Sequence, residues 1–140
     1  KTDEGQALLH AHLARSDVLL TSFRPSALAR LGLGWEALHA RHPGLSHVSI
    51  VGALGAGAEV PGHDLTYLAE HGLVSGLALP PTLFADMGGS LMAMEAILQA
   101  AVSRGQGRQF EVGLADAAAY LALPRRWGLT TPGATSSAAG

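Results

Sequence analysis

Short apolar runs alternate along this chain with longer stretches in which apolar positions return every three or four residues. "DVLLTS" (17–22) is an apolar run closed by hydroxyls and predicts a buried strand. "LSHVSIV" (45–51), rich in β-branched residues, predicts the clearest strand, and "QFEVGL" (109–114) a third. Helical spacing fills the intervals. Asp3 with Gln6 three residues on reads as a capping box opening a helix to about Arg15. Ser26 reads as the cap of one or two turns that stop at Gly32, and Glu36–Arg41 as a short helix closed before Pro43. Further helices are predicted from Asp64 to His71, ending at Gly72, from Asp86 to Ser103, the longest, and over "ADAAAYLAL". "VSGLALPPT" reads as linker, "RGQGR" as a turn, and everything from Pro124 on as an irregular Gly/Ser/Thr/Pro-rich tail. There is no internal repeat. Strands separated by helices predict an α/β fold with a parallel sheet flanked by helices. Three strands are few for a self-sufficient doubly wound sheet, so the fold is expected to be incomplete at both ends.

Composition narrows the partners. Of 140 residues, 48% are hydrophobic and 14% charged, enough apolar content for a sizeable core and too much for a disordered chain. The thin charge suggests apolar faces meant for more protein. A net charge of −2 argues against nucleic acid or an anionic membrane as an electrostatic partner. No apolar run reaches the ~20 residues of a membrane span. The absence of cysteine fits a reducing cytoplasm, and "KTDEGQALLH" reads as a helix entry, not a signal peptide. The chain begins without methionine, as a processed or incomplete piece would.

Two stretches carry candidate chemistry, and each has two readings. In "ADMGGSLMAMEAILQAAV", Asp86 serves as a helix cap that complements the dipole. That reading leaves Gly88 and Gly89 unexplained, since each glycine in a helix costs up to ~1 kcal/mol relative to alanine. Bare backbone at a helix start suits close approach by a polarised carbonyl or phosphate oxygen, with Asp86 beside the reacting atom. In "PGHDLTY", Asp64 caps the next helix and His63 is either an idle loop residue or a general base at a cleft edge, lined also by Tyr67. The loop "VSIVGALGAGAEV" follows a strand, but its glycines run G-x-x-G-x-G and a Pro-Gly turn follows, so it does not read as a dinucleotide fingerprint. His39 and His42 share a helix face without a carboxylate or thiol to complete a metal site, and no metal is expected. Arg24 and Arg30 flank the turn after the first strand. They read as solvated charge or as a guanidinium pair where α/β folds bind phosphates.

Four stretches, "DVLLTSFRPSALARLGLGWEAL", "HVSIVGALGAGAEVPGHDLTY", "LFADMGGSLMAMEAIL" and "RGQGRQFEVGLADAA", stand in the order in which the family III CoA-transferases (the CaiB/BaiF family) carry similar ones. The resemblance covers roughly Glu4 to Leu123. It implies an enzyme of acyl-CoA thioesters, with coenzyme A as a substrate moiety and no covalently bound cofactor. The aspartate matching Asp86 would attack the thioester, giving a mixed anhydride and then an aspartyl-CoA thioester, in exchange with a carboxylic acid. In the α-methylacyl-CoA racemase branch, which "GHD" resembles more, matching Asp86 and His63 exchange the α-proton on opposite faces. The resemblance implies a CoA site along Ser22, Phe23, Arg24, Arg30 and Pro61, Gly62, His63 and Asp64. It further implies two subunits interlocked as rings. Residues 1–123 would be the central part of the CoA-binding and catalytic domain, and 124–140 would lead to a carboxyl-terminal half, with the small domain and an acidic partner for the histidine. The glycine loop is shorter than the family's and lacks its Gln-Thr-Gly-Pro character. A non-catalytic piece that binds CoA or a partner chain is the remaining reading.

Overall fold

The computed structural model describes residues 2–130. Three strands, β1 (Val18–Thr21), β2 (Ser46–Val51) and β3 (Gln109–Gly113), form one parallel sheet in the order β1-β2-β3. Val18 pairs with Ser46 and Thr21 with Ser49; His47 pairs with Gln109 and Val51 with Gly113. Each strand lies within one residue of its predicted limits, because each is a β-prone run that the sheet can bury.

Seven helices connect and flank the strands among the described residues: α1 (Asp3–Leu13), α2 (Pro25–Ala29), α3 (Trp35–Arg41), α4 (Asp64–Glu70), α5 (Phe84–Val102), α6 (Leu114–Leu121) and α7 (Leu123–Arg126). A 3-10 turn, Gly55–Glu59, sits in the glycine loop after β2, so no α-helix opens there. Gly72, with φ +71°, closes α4 as expected.

Several predicted caps belong to other residues. Thr2, not Asp3, caps α1 by accepting from the Gly5 N–H at 3.2 Å, and Gln6 instead donates to the Leu31 carbonyl at 3.2 Å. Helix α2 opens with Arg24 at its cap and Pro25 in the first position, so Ser26 is not the cap. Helix α5 begins two residues before Asp86, which sits in the first turn as the third helical residue. The tail is not irregular from its start, since Leu123–Arg126 is helical and the Arg125 guanidinium donates to the Gly72 carbonyl. Residues 131–140, the rest of the expected tail, lie outside the described residues.

Alternation along the strands gives the sheet two unlike faces. Val48, fully buried, packs with Val112, Ile50 and Phe110 against Ala93, Ala96 and Ile97 of α5. The buried stripe of α5 is small throughout: Ala85, Gly89, Ala93, Ala96 and Ala100, spaced three or four apart. Small side chains let the helix axis lie close to the sheet and to α6. On the opposite face, buried Thr21, His47 and Ser49 form a polar row, with Thr21 Oγ1 at 2.9 Å from His47 Nε2 and 3.3 Å from Ser49 Oγ. Leu13, Leu28, Leu33, Leu38 and Leu45 make a second core under α1–α3. Tyr67, Leu68, Ala85 and Ala118 make a third where α4, α5 and α6 meet. The outer face of α5 stays apolar and exposed at Met87, Leu91, Met94 and Leu98, in line with the thin surface charge.

Candidate active site

The carboxyl ends of all three strands open onto one cavity of about 270 Å³. This is where parallel α/β sheets offer free backbone and loop side chains to ligands. Ser22, Phe23 and Arg24 enter it from the turn after β1. Ile50, Val51 and Gly52 form its floor at the end of β2, and Leu114 reaches it from just past β3. The segment Val60–His63 and Tyr67 close the remaining side. Seven residues singled out from sequence therefore meet here: Ser22, Phe23, Arg24, Pro61, Gly62, His63 and Tyr67.

Tyr67 explains two glycines. A Cβ on Gly52 would run into its hydroxyl, and one on Gly62 would meet the hydroxyl and the ring, with ring Cζ at 2.6 Å. Both bare positions are thus needed for the buried phenol to lie against the cavity wall. Burial, then the Asp86 and Glu70 carboxylates, raise the Tyr67 pKa, so it stays a neutral hydroxyl.

His63 is exposed at the cap position of α4, with extended backbone, and its N–H donates to Thr66 Oγ1 at 3.3 Å. It is among the residues that line the cavity. The neighbouring Asp64 does something else. It is buried, and its Oδ1 accepts from the Ala85 N–H at 2.7 Å and the Asp86 N–H at 3.0 Å. Asp64 is therefore the cap of α5, supplied from another helix, and does not cap α4 through its side chain or line the cavity.

That arrangement overturns one expectation. The first amides of α5 are not a bare seat for a substrate oxygen, because a carboxylate already fills it. Nor do Gly88 and Gly89 wait for a ligand at that end. They lie in the second turn, and a Cβ on Gly89 would strike Leu114 Cδ2, while one on Gly88 would stand 3.2 Å from Ala117 Cβ. What approaches the two glycines is α6. Gly88 additionally borders a separate apolar groove, with Leu91, Met92, Ala117, Tyr120 and Leu121.

Asp86 itself is half-buried and is not among the residues lining the cavity. Its pKa is raised, chiefly by desolvation and next by the Asp64 charge, while the His63 charge pulls the other way. Asp86, Asp64, His63 and Tyr67 thus form one electrostatic cluster around the start of α5, at the side of the cavity closed by His63 and Tyr67. Arg30 stands apart from the lining, exposed at the end of α2, with its charge and that of Arg24 felt by Glu59. Among the described residues, no group of three or more His, Cys, Asp or Glu side chains is placed to hold a metal ion.

Comparison with known proteins agrees with the fold. The family model of CoA-transferase family III matches residues 1–137. The chain belongs to that family. Over 133 residues it is 34% identical to a cinnamoyl-CoA:phenyllactate CoA-transferase of Clostridium sporogenes, covering 86% of this chain and 32% of the relative. Over 134 residues it is 34% identical to the human alpha-methylacyl-CoA racemase, covering 86% of the chain and 35% of the relative. A crystal structure of a CaiB/BaiF family protein from Brucella suis superposes with a TM-score of 0.80 at 27% identity, over 94% of this chain and 39% of the other. The chain thus spans about a third of the length of these curated relatives.

Sequence reasoning missed Glu59, which both Ser26 donors engage at 2.7 Å, and the Thr21–His47–Ser49 row. The sequence offered a weak signal for the second, three polar residues inside apolar strand runs. It offered none for the first.

Proposed function

We propose that the protein processes acyl-CoA thioesters, moving CoA between a thioester and a carboxylic acid through Asp86. The observation that carries this is the half-buried Asp86 carboxylate, its backbone N–H held by Asp64 and its charge felt by His63 and Tyr67, two residues that line the cavity on the sheet's carboxyl edge. Family membership supports the chemistry: the relatives named above include a CoA-transferase and an acyl-CoA racemase.

In this reading the thioester lies along Ser22–Arg24 and Val60–His63, with Arg24 and Arg30 drawing the phosphates of CoA. An Asp86 carboxylate oxygen adds to the thioester carbonyl carbon. The C–S bond breaks, CoA leaves as thiolate, and a mixed anhydride remains. The thiolate then attacks the aspartyl carbonyl and releases the first acid as carboxylate, leaving an aspartyl-CoA thioester. The acceptor carboxylate repeats the two steps in reverse order and departs with CoA, restoring Asp86. Partial desolvation makes the attacking carboxylate more basic, and hence a better nucleophile, while the nearby His63 limits the cost of its charge.

One observation favours a second reading. His63 faces the same cavity and acts electrostatically on Asp86, the arrangement needed for two groups to take and return an α-proton. A 2-methylacyl-CoA incubated in heavy water without any acceptor acid separates the two. Transfer predicts no α-deuterium and a hydroxylamine-trappable acyl group at Asp86 that disappears in Asp86→Asn. Deuterium incorporation without a trapped adduct would establish proton exchange instead. Neither signal, from protein whose fold is intact, would remove both.

A further inference from the structure

The turn after β1 and the loop after β2 face each other across the mouth of the cavity, with Phe23 and Arg24 on one wall and Ala58, Val60 and Pro61 on the other. Glu59 joins them. Its Oε1 accepts from the Ser26 N–H at 2.7 Å and its Oε2 from the Ser26 hydroxyl at 2.7 Å, so both oxygens hold one residue 33 positions earlier. Ser26 lies two residues after Arg24, with Pro25 between them fixing the backbone, so whatever anchors Ser26 also places the Arg24 wall. Arg24 and Arg30 both lie close enough to favour the ionised form of Glu59, after the two Ser26 hydrogen bonds.

We propose that Glu59 is a positioning residue for coenzyme A: its carboxylate staples the Phe23–Ser26 turn to the Gly55–Pro61 loop and sets the shape of the cavity mouth before the ligand arrives. This role rests on the reading of the cavity as the CoA site. It has a consequence that charge alone would reverse. CoA is a polyanion, so Coulomb's law says that deleting an acid at the mouth should tighten binding. Glu59 is exposed, its long-range field is screened by salt, and the geometry it imposes is not. Loss of the staple leaves two loops to be ordered at the ligand's expense, which weakens binding.

The test is the dissociation constant of coenzyme A for the chain and three variants, measured by calorimetry, with amide exchange in β2 as the check on the fold. Glu59→Ala is expected to weaken binding about five- to tenfold, and Ser26→Ala, which leaves every charge in place, about two- to threefold. Glu59→Gln keeps the length and two hydrogen-bonding atoms and should stay within about twofold of the parent. Unchanged or tighter binding by Glu59→Ala overturns the staple. Should that variant lose β2 protection, Ser26→Ala decides in its place, and binding equal to the parent then overturns the staple. A parent chain that binds no coenzyme A overturns the reading of the cavity itself, and the role with it.

Discussion

The two edges of the parallel sheet use similar side chains in opposite ways. At the amino edge Asp17 accepts from the Arg104 Nε at 2.8 Å, with both side chains more than half exposed, and His10 Nδ1 lies 3.0 Å from His42 Nε2 near the surface. At the carboxyl edge Asp64 is buried and accepts two backbone amides, and beside it Asp86 is partly desolvated with no cation paired to it among the described residues. A carboxylate in water costs little and contributes little. One taken out of water must be satisfied, as Asp64 is, or carries a raised pKa, as Asp86 does. A partly desolvated carboxylate beside residues that line a cavity is a candidate for reactivity.

The sharpest break of this contrast is at Asp86. Asp86→Asn should lower acyl-CoA turnover at least about 10³-fold, since no other carboxylate in the cluster is free to attack. The same variant should be the more stable protein at neutral pH. A carboxyl whose pKa is higher folded than unfolded binds its proton more readily in the folded state. Stability therefore falls as pH rises from the ordinary aspartate value through the raised one, and stays lower above it. Thermal melts of the two proteins should separate above that window and converge below it.

Asp64→Ala comes next. It strips two amides of their acceptor at a buried site and is expected to cost about 2–3 kcal/mol, read from urea unfolding. Exchange should accelerate first in the opening turn of α5. Acid titration gives a smaller effect. Burial lowers the pKa of His47, and burial, then Arg41 and His42, lower that of His10. For a base held down in the fold, the unfolded chain takes up protons first. Stability should then be complete above the unfolded histidine value of about 6.5 and fall as pH drops from there toward the folded values, with His47→Gln flattening the decline. Smallest of all, Asp17→Ala at the amino edge should change stability by less than about 0.5 kcal/mol, and less still in high salt.

Pattern along the chain discloses whatever local chemistry settles. The strands are short runs around Val, Leu, Ile or Phe with hydroxyls or glycine near their ends, and the structure keeps them within a residue. The start of α5 escapes local reading because its cap is not local. Asp64 stands 22 residues from the Asp86 amide it binds, and no spacing rule links two acids on different helices. Gly88 and Gly89 stand out as costly and point to a ligand, since a sequence does not show that Leu114 and Ala117 lie against them. The convergence of Ser22–Arg24 with Pro61–His63 is legible through resemblance, and the sheet's parallel order supplies its physical reason. Glu59 stays hidden because an exposed acid in a glycine loop looks like solvated charge until Ser26 is brought to it.

The most direct measurement is the titration of the Asp86 carboxyl by carbon-13 NMR, in the parent protein and in Asp64→Asn. A midpoint above the ordinary aspartate range, moving down when the Asp64 charge is removed, is the result this structure predicts. An ordinary midpoint that Asp64→Asn leaves unmoved would contradict it.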